Sequence, residues 1–245
     1  MLNYVVLGII QGVFEWIPIS SEGVVAIVSQ FLIKDIHPLE MALFLHLGTF
    51  FAVLLYFRKE WLEVLKLKDL VLLRFLIIST IISGIIGFAL YYLVRNVTIG
   101  SGLLLLTGFG LLITAFFHRN KKMFGISFNK LAVISGILQG LAVIPGLSRS
   151  GATIFGLSLG KLNPSQILKL SYMMSAPVVL TMAAFLFWKN PVLVSEGWLA
   201  LVFSFLTGLI ALKVLLRVAE KTNFFKFALV FAFLCFLGAG LEYLI

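Results

Sequence analysis

Pro18-Ile19-Ser20-Ser21-Glu22-Gly23 and Pro145-Gly146-Leu147-Ser148-Arg149-Ser150-Gly151 interrupt two stretches, 1–34 and 126–162, that are otherwise apolar. Proline and glycine break a helix there, and the serines and charges make each break polar. A helix crossing the hydrocarbon core of a bilayer needs about 20 mostly apolar residues, and after each break only about ten remain. The half-length pairs therefore predict two re-entrant helix hairpins. Irregular tips of this kind persist at membrane depth only where protein or a wet cavity satisfies their backbone groups.

Away from the two breaks the chain holds six charge-poor runs of spanning length, at roughly 39–57, 72–94, 98–117, 166–188, 197–216 and 223–244. Of the 245 residues, 61% are hydrophobic and 12% charged, against roughly 45–50% and about 25% in soluble domains. With a mean hydropathy of +1.13, too little polar surface is left to coat a soluble body. The predicted fold class is an all-α polytopic membrane protein with six transmembrane helices plus two re-entrant helix hairpins. The single cysteine, Cys235, excludes an intramolecular disulfide and a cysteine metal site.

Gly8-Ile9-Ile10-Gln11-Gly12 matches Gly136-Ile137-Leu138-Gln139-Gly140, and Ser20–Gly23 matches Ser148–Gly151, all at an offset of 128 residues. Two repeats follow, 1–125 and 126–245, each with one hairpin and three spans, within one integral membrane domain. A hairpin makes no net crossing and three spans reverse the side, so the second repeat is predicted to lie upside down relative to the first. Such architectures bring broken-helix tips together near the midplane. Arg58, Lys59, Lys66, Lys68, Arg119, Lys121, Lys122, Lys130, Lys161, Lys169, Lys213, Arg217, Lys221 and Lys226 fall on one side, and only Lys34, Arg95 and Lys189 on the other. The positive-inside rule makes the first side cytoplasmic, so hairpin 1 enters from the outer face and hairpin 2 from the cytoplasm. The net charge of +9 is then mostly topology signal. A nucleic-acid partner is not expected, because the chain has no basic soluble surface.

Ionisable groups inside a membrane are costly and mark function, which singles out Glu15, Glu22, His46 and Arg149. Arg149 stands among Ser148, Ser150, Gly151 and Thr153 at the start of a short helix. A guanidinium fork, hydroxyls and exposed backbone N–H groups there make a cradle for phosphate. The plainer reading is a buried brace in which Arg149 pairs with Glu15 or Glu22. On the other hairpin, Gln11 and Glu15 share a helical face, and Ser20, Ser21 and Glu22 form the tip. A serine there can attack phosphorus once a base takes its proton, while Glu15 and Glu22 are the carboxylates able to hold a divalent cation, Mg or Ca. Helix capping is the plainer reading of Ser20 and Ser21. His46, mid-span, is either a helix-to-helix hydrogen bonder or a site residue.

The segments Gln11–Ser21 and Pro145–Ile154 resemble the two signatures of the undecaprenyl-diphosphatase family, also called bacitracin-resistance proteins. Leu45-His46-Leu47-Gly48-Thr49 and Ser171–Pro177 resemble further family segments, and the similarity runs over nearly the whole chain. One position departs: the family's Ser-Ser-x-Gly-His here reads Ser20-Ser21-Glu22-Gly23-Val24, which makes the chain a divergent member. The resemblance implies a membrane phosphatase that converts a polyprenyl diphosphate to the monophosphate and inorganic phosphate, recycling the lipid carrier for cell-envelope glycan synthesis. It further implies catalytic and phosphate-binding roles for Glu15 and Arg149, a nucleophile region at Ser20 and Ser21, and a helper cation.

With Val24 in the histidine's place, the first-motif nucleophile is Ser21 or a water activated by Glu15 or Glu22; Ser21 is favoured, with Glu15 and Arg149 completing the catalytic set. Gln11, Ser20, Glu22, His46, Ser148, Ser150, Gly151 and Thr153 form the expected substrate-binding set. The expected location is the plasma membrane, multi-pass, with the site opening to the outer face, and a homodimer is left open. The competing function is a polyprenyl-phosphate transporter that moves the lipid without hydrolysis, since inverted repeats with broken helices also build transporters.

Overall fold

The computed structural model describes residues 1–33, 38–94, 100–119, 125–144, 147–189 and 192–244. Pro145 and Gly146 of the second break lie outside them, as do Lys34, Arg95, Lys121 and Lys122 of the charge pattern. In chain order the helices are α1 (Leu2–Phe14), α2 (Ser21–Leu32), α3 (Pro38–Tyr56), α4 (Arg58–Leu65), α5 (Leu70–Val94), α6 (Gly100–Arg119), α7 (Phe128–Leu141), α8 (Arg149–Ser158), α9 (Pro164–Lys189), α10 (Val192–Glu220) and α11 (Phe224–Leu244). The described residues form an all-helical, polytopic membrane protein. Each predicted span coincides with a helix (α3, α5, α6, α9, α10 and α11), and each predicted hairpin is a pair of short helices, α1–α2 and α7–α8.

By length and composition, Leu70–Leu90, Pro164–Ala184, Gly197–Glu220 and Phe224–Leu241 are each able to cross a bilayer. Helices α3 and α4 pass the same test only as a pair bent by 79°, either a broken span or a re-entrant loop, and the apolar part of α6, Leu104–Phe116, is shorter. The separate helix α4 was not expected. Arg58, Lys59, Glu60 and Glu63 are too polar to continue α3 into hydrocarbon, so the chain turns at Phe57. Lys169 Nζ of α9 meets Glu60 Oε1 at 2.9 Å; because both side chains are partly exposed, this bridge contributes at most about 1 kcal/mol.

The repeated glycines explain how the hairpins dock. Helix α1 packs along α10 and α7 along α5, so the first helix of each hairpin lies on a span of the other half. An added Cβ would lie 2.3 Å from Ala200 O at Gly8 and 2.0 Å from Thr207 Oγ1 at Gly12; at Gly136 and Gly140 it would lie 2.9 Å from Ser79 O and 2.7 Å from Ile86 Cβ. Small residues let helix backbones approach where no hydrophobic force drives them together. Gly12→Val is expected to destabilise the protein by about 1–3 kcal/mol through overpacking, seen as a lower Tm in detergent. Gly84→Ala is the control: its Cβ meets nothing within 4 Å, and Tm should not fall.

A second set of contacts fixes the tip of hairpin 1. Trp16 and Tyr172 are fully buried, edge to face with ring centroids 5.0 Å apart, a geometry that adds about 0.5–1.5 kcal/mol beyond burial. Trp16 Nε1 donates to Gly208 O at 2.9 Å, and Tyr172 Oη donates to Trp16 O at 2.8 Å. The tip is thereby tied to α9 and α10. Hairpin 2 meets it directly: Ser150 Oγ donates to Ile17 O at 2.9 Å, and Gly151 faces Pro18 so closely that a Cβ there would stand 3.1 Å from Pro18 Cβ.

Candidate active site

The two hairpin tips start new helices in the same way. Ser20 is the N-cap of α2 and its Oγ accepts from Gly23 N at 3.2 Å; Ser148 is the N-cap of α8 and its Oγ accepts from Gly151 N at 3.3 Å. Each cap serves the third N–H of its helix. The N–H groups of Ser21 and Glu22, and of Arg149 and Ser150, come before any intrahelical acceptor, and both positive helix ends turn to one place. That place is a narrow cleft lined by Glu15, Ser20, Ser21, Glu22, His46, Ala142, Leu147, Ser148, Arg149 and Ser150.

Glu15 is the hub. It caps the C-terminus of α1 where Pro18 prevents the helix from continuing, and its side chain is buried. Its Oε2 accepts from Gln11 Nε2 at 2.7 Å and from Ser21 Oγ at 3.0 Å, and stands 3.1 Å from His46 Nε2. Its Oε1 pairs with Arg149 Nη2. Arg149 Nη1 lies 3.5 Å from Ser171 O, so the guanidinium keeps further N–H groups free of short bonds. Arg149 holds the hairpins together through Glu15 and lines the cleft while doing so.

The serines divide. Ser20 caps, whereas Ser21 directs its hydroxyl to the carboxylate. Ser150 spends its proton on Ile17 O, so Ser148 donates to Ser150 across 3.1 Å. Thr153 lies behind Arg149 rather than in the cleft: its Oγ1 donates to Arg149 O at 2.9 Å and meets Ser171 Oγ at 2.6 Å. Gln11 is buried behind Glu15, and Gly151 makes the hairpin contact. All eleven candidate residues therefore fall in or directly behind one cluster, eight of them on the cleft wall. Ser171 and Tyr172 were not among them. They lie in a family-like segment, but neither residue type announces that its main-chain or hydroxyl oxygen will position a neighbouring hairpin.

For a cation the two carboxylates are unequal. Glu15 already receives Gln11, Ser21, His46 and Arg149, whereas no hydrogen bond or ion pair among the described residues engages Glu22. No group of three His, Cys, Asp or Glu among the described residues is arranged to hold a metal. Glu22 fits a cation only as one ligand beside water and substrate oxygens, the manner in which Mg²⁺ meets phosphates.

Fold and site together define a polytopic membrane protein in which two broken helix pairs and α3 bring a carboxylate, a serine, an arginine and a histidine together. The chain belongs to the bacitracin resistance protein BacA family, whose description matches residues 4–238. It is similar to the undecaprenyl-diphosphatase of Methanococcoides burtonii, 33% identical over 92% of this chain and 93% of that protein. The undecaprenyl-diphosphatases of Methanothrix thermoacetophila and Thermosipho africanus are each 35% identical, over 93% and 92% of this chain and 93% and 95% of theirs. The family expected from the two motifs is the one found.

Proposed function

We propose that this protein is an integral membrane phosphatase that hydrolyses an undecaprenyl-type polyprenyl diphosphate to the monophosphate and inorganic phosphate. The observation that carries the reading is the meeting of Ser21 and Arg149 on opposite oxygens of Glu15, between two helix N-termini. The names borne by its relatives supply the substrate class. Arg149 and the first-turn N–H groups of α2 and α8 bind the diphosphate. Ser21 Oγ attacks the terminal phosphorus, its proton passes to Glu15 Oε2, and the P–O bond to the polyprenyl phosphate breaks. Water then attacks the phosphoserine; phosphate leaves and Ser21 Oγ regains a proton. A divalent cation, Mg or Ca, held by Glu22, would neutralise phosphate charge. No observation favours transport without hydrolysis.

The test is phosphate release from a C55 polyprenyl diphosphate by purified protein in detergent, with Mg²⁺, with Ca²⁺ and with chelator. Turnover supports the phosphatase; its absence, with lipid movement in vesicles, supports the carrier instead. Loss of turnover on chelation supports the cation role, and full activity in chelator removes it.

The same proposal includes the two inverted repeats, 1–125 and 126–245, supported by the docking of α1 on α10 and of α7 on α5. It also places the site toward the outer face of the plasma membrane. Lys66 and Lys130 are exposed and Cys235 is buried, so Lys66→Cys and Lys130→Cys report topology against a silent native thiol. An impermeant maleimide added to intact cells should leave both unlabelled until the membrane is opened. Labelling from outside would reverse the orientation.

A further inference from the structure

Helix α3 delivers His46 to the cluster in a fixed pose. An added Cβ at Gly48 would lie 2.7 Å from both Leu201 O and Ser204 Cβ, so α3 rests on the α10 backbone here. Ser204 Oγ pins the same turn by donating to Leu45 O at 2.9 Å. Within α3, His46 Nδ1 donates to Ala42 O at 2.7 Å, which fixes the ring and aims Nε2 at Glu15 Oε2, 3.1 Å away; since both partners are acceptors, the ring donates from both nitrogens as an imidazolium. That oxygen is also the acceptor of Ser21 Oγ. Val24, where the family's first motif carries histidine, is not on the cleft wall. The imidazole in this cleft therefore comes from the third helix.

We propose that His46 is a positioning residue for the hydrolysis: held by Ala42 O, it orients the Glu15 carboxylate so that Oε2 faces Ser21 while Oε1 faces Arg149. It acts through Glu15 and does not touch the reacting phosphorus. Without it, Oε2 loses a fixed donor, and the carboxylate is free to turn toward Arg149 with both oxygens, which withdraws the base from Ser21. The effect falls on the chemical step, since the groups that bind the diphosphate are untouched.

The inference rests on the phosphatase reading, and three substitutions separate the two. His46→Leu fills the space without a donor. His46→Gln restores an N–H near the Nε2 position, and His46→Asn restores one only near Nδ1. A misplacement of about 1 Å at a reacting group costs about 10²-fold, so kcat for His46→Leu should fall by roughly 10- to 100-fold with KM within about twofold. His46→Gln should recover most of the loss and His46→Asn little of it, all at equal Tm in detergent. If His46→Leu does not fold, the Gln and Asn variants alone decide. Equal kcat for those two, an unchanged kcat in His46→Leu, or a loss confined to KM overturns the proposal while the phosphatase reading stands. A wild type without turnover overturns both.

Discussion

Arg149→Lys is expected to lower kcat/KM by about 10²- to 10³-fold although the positive charge is kept, the loss typical of removing one fixed donor at a developing oxyanion. Arg149 opens α8, and its guanidinium reaches Glu15 with one nitrogen while another lies 3.5 Å from Ser171 O. A planar fork can hold the carboxylate and a phosphate oxygen together. An ammonium is a shorter, more strongly hydrated point charge, and once it pairs with Glu15 it has no second rigid donor to offer. Phosphate release by the purified variant, with Tm recorded beside it, measures the effect. Near-normal activity would leave Arg149 only the bracing role.

Ser21→Ala should produce the larger loss, several orders of magnitude in kcat with lipid binding retained, because the atom removed is the one that forms the bond to phosphorus. The geometry that favours it is specific to Ser21. Its Oγ stands 3.0 Å from Glu15 Oε2, whereas Ser20 Oγ is committed to Gly23 N. Ser20→Ala should instead cost roughly 1 kcal/mol of stability as a lost cap. If water activated by Glu15 or Glu22 is the nucleophile, Ser21→Ala loses only a modest factor. Trapping a phosphoenzyme on Ser21 after brief exposure to substrate would support the serine route, and a fast Ser21→Ala variant would end it. Val24→His adds a discriminating arm: acceleration of Ser21→Ala by that change would return the chemistry to the family's histidine position.

Much of the architecture was legible because its causes are local. The length of an apolar run decides whether a helix can span, and Pro18 with the serines and glycines around it decides where a helix must stop and restart. The helix starts at Ser21 and Arg149 follow from the serines that precede them. The repeated Gly-x-x-Gln-Gly marked the hairpin helices before their partners were known, although the reason for the glycines, contact with Ala200, Thr207, Ser79 and Ile86, needed the packing. Helix α4 was missed because its eight residues carry too much charge for a span and too little length to register as anything else.

Within the candidate site the residue types were readable and their pairings were not. Glu15, Glu22 and Arg149 stood out as costly charges in an apolar setting, yet the sequence left both carboxylates open as the arginine's partner. The fold selects Glu15, from 134 positions away. It likewise decides that Ser20 caps while Ser21 reaches the carboxylate, and that the histidine beside them is His46 of α3. Run length, helix breaks and caps are settled among residues a few positions apart and are therefore readable from local order along the chain. Which polar groups share an oxygen depends on how α1, α3 and α8 are held against α9 and α10, where glycine contacts fix backbone separations and most buried polar atoms pair with whatever the packing brings near.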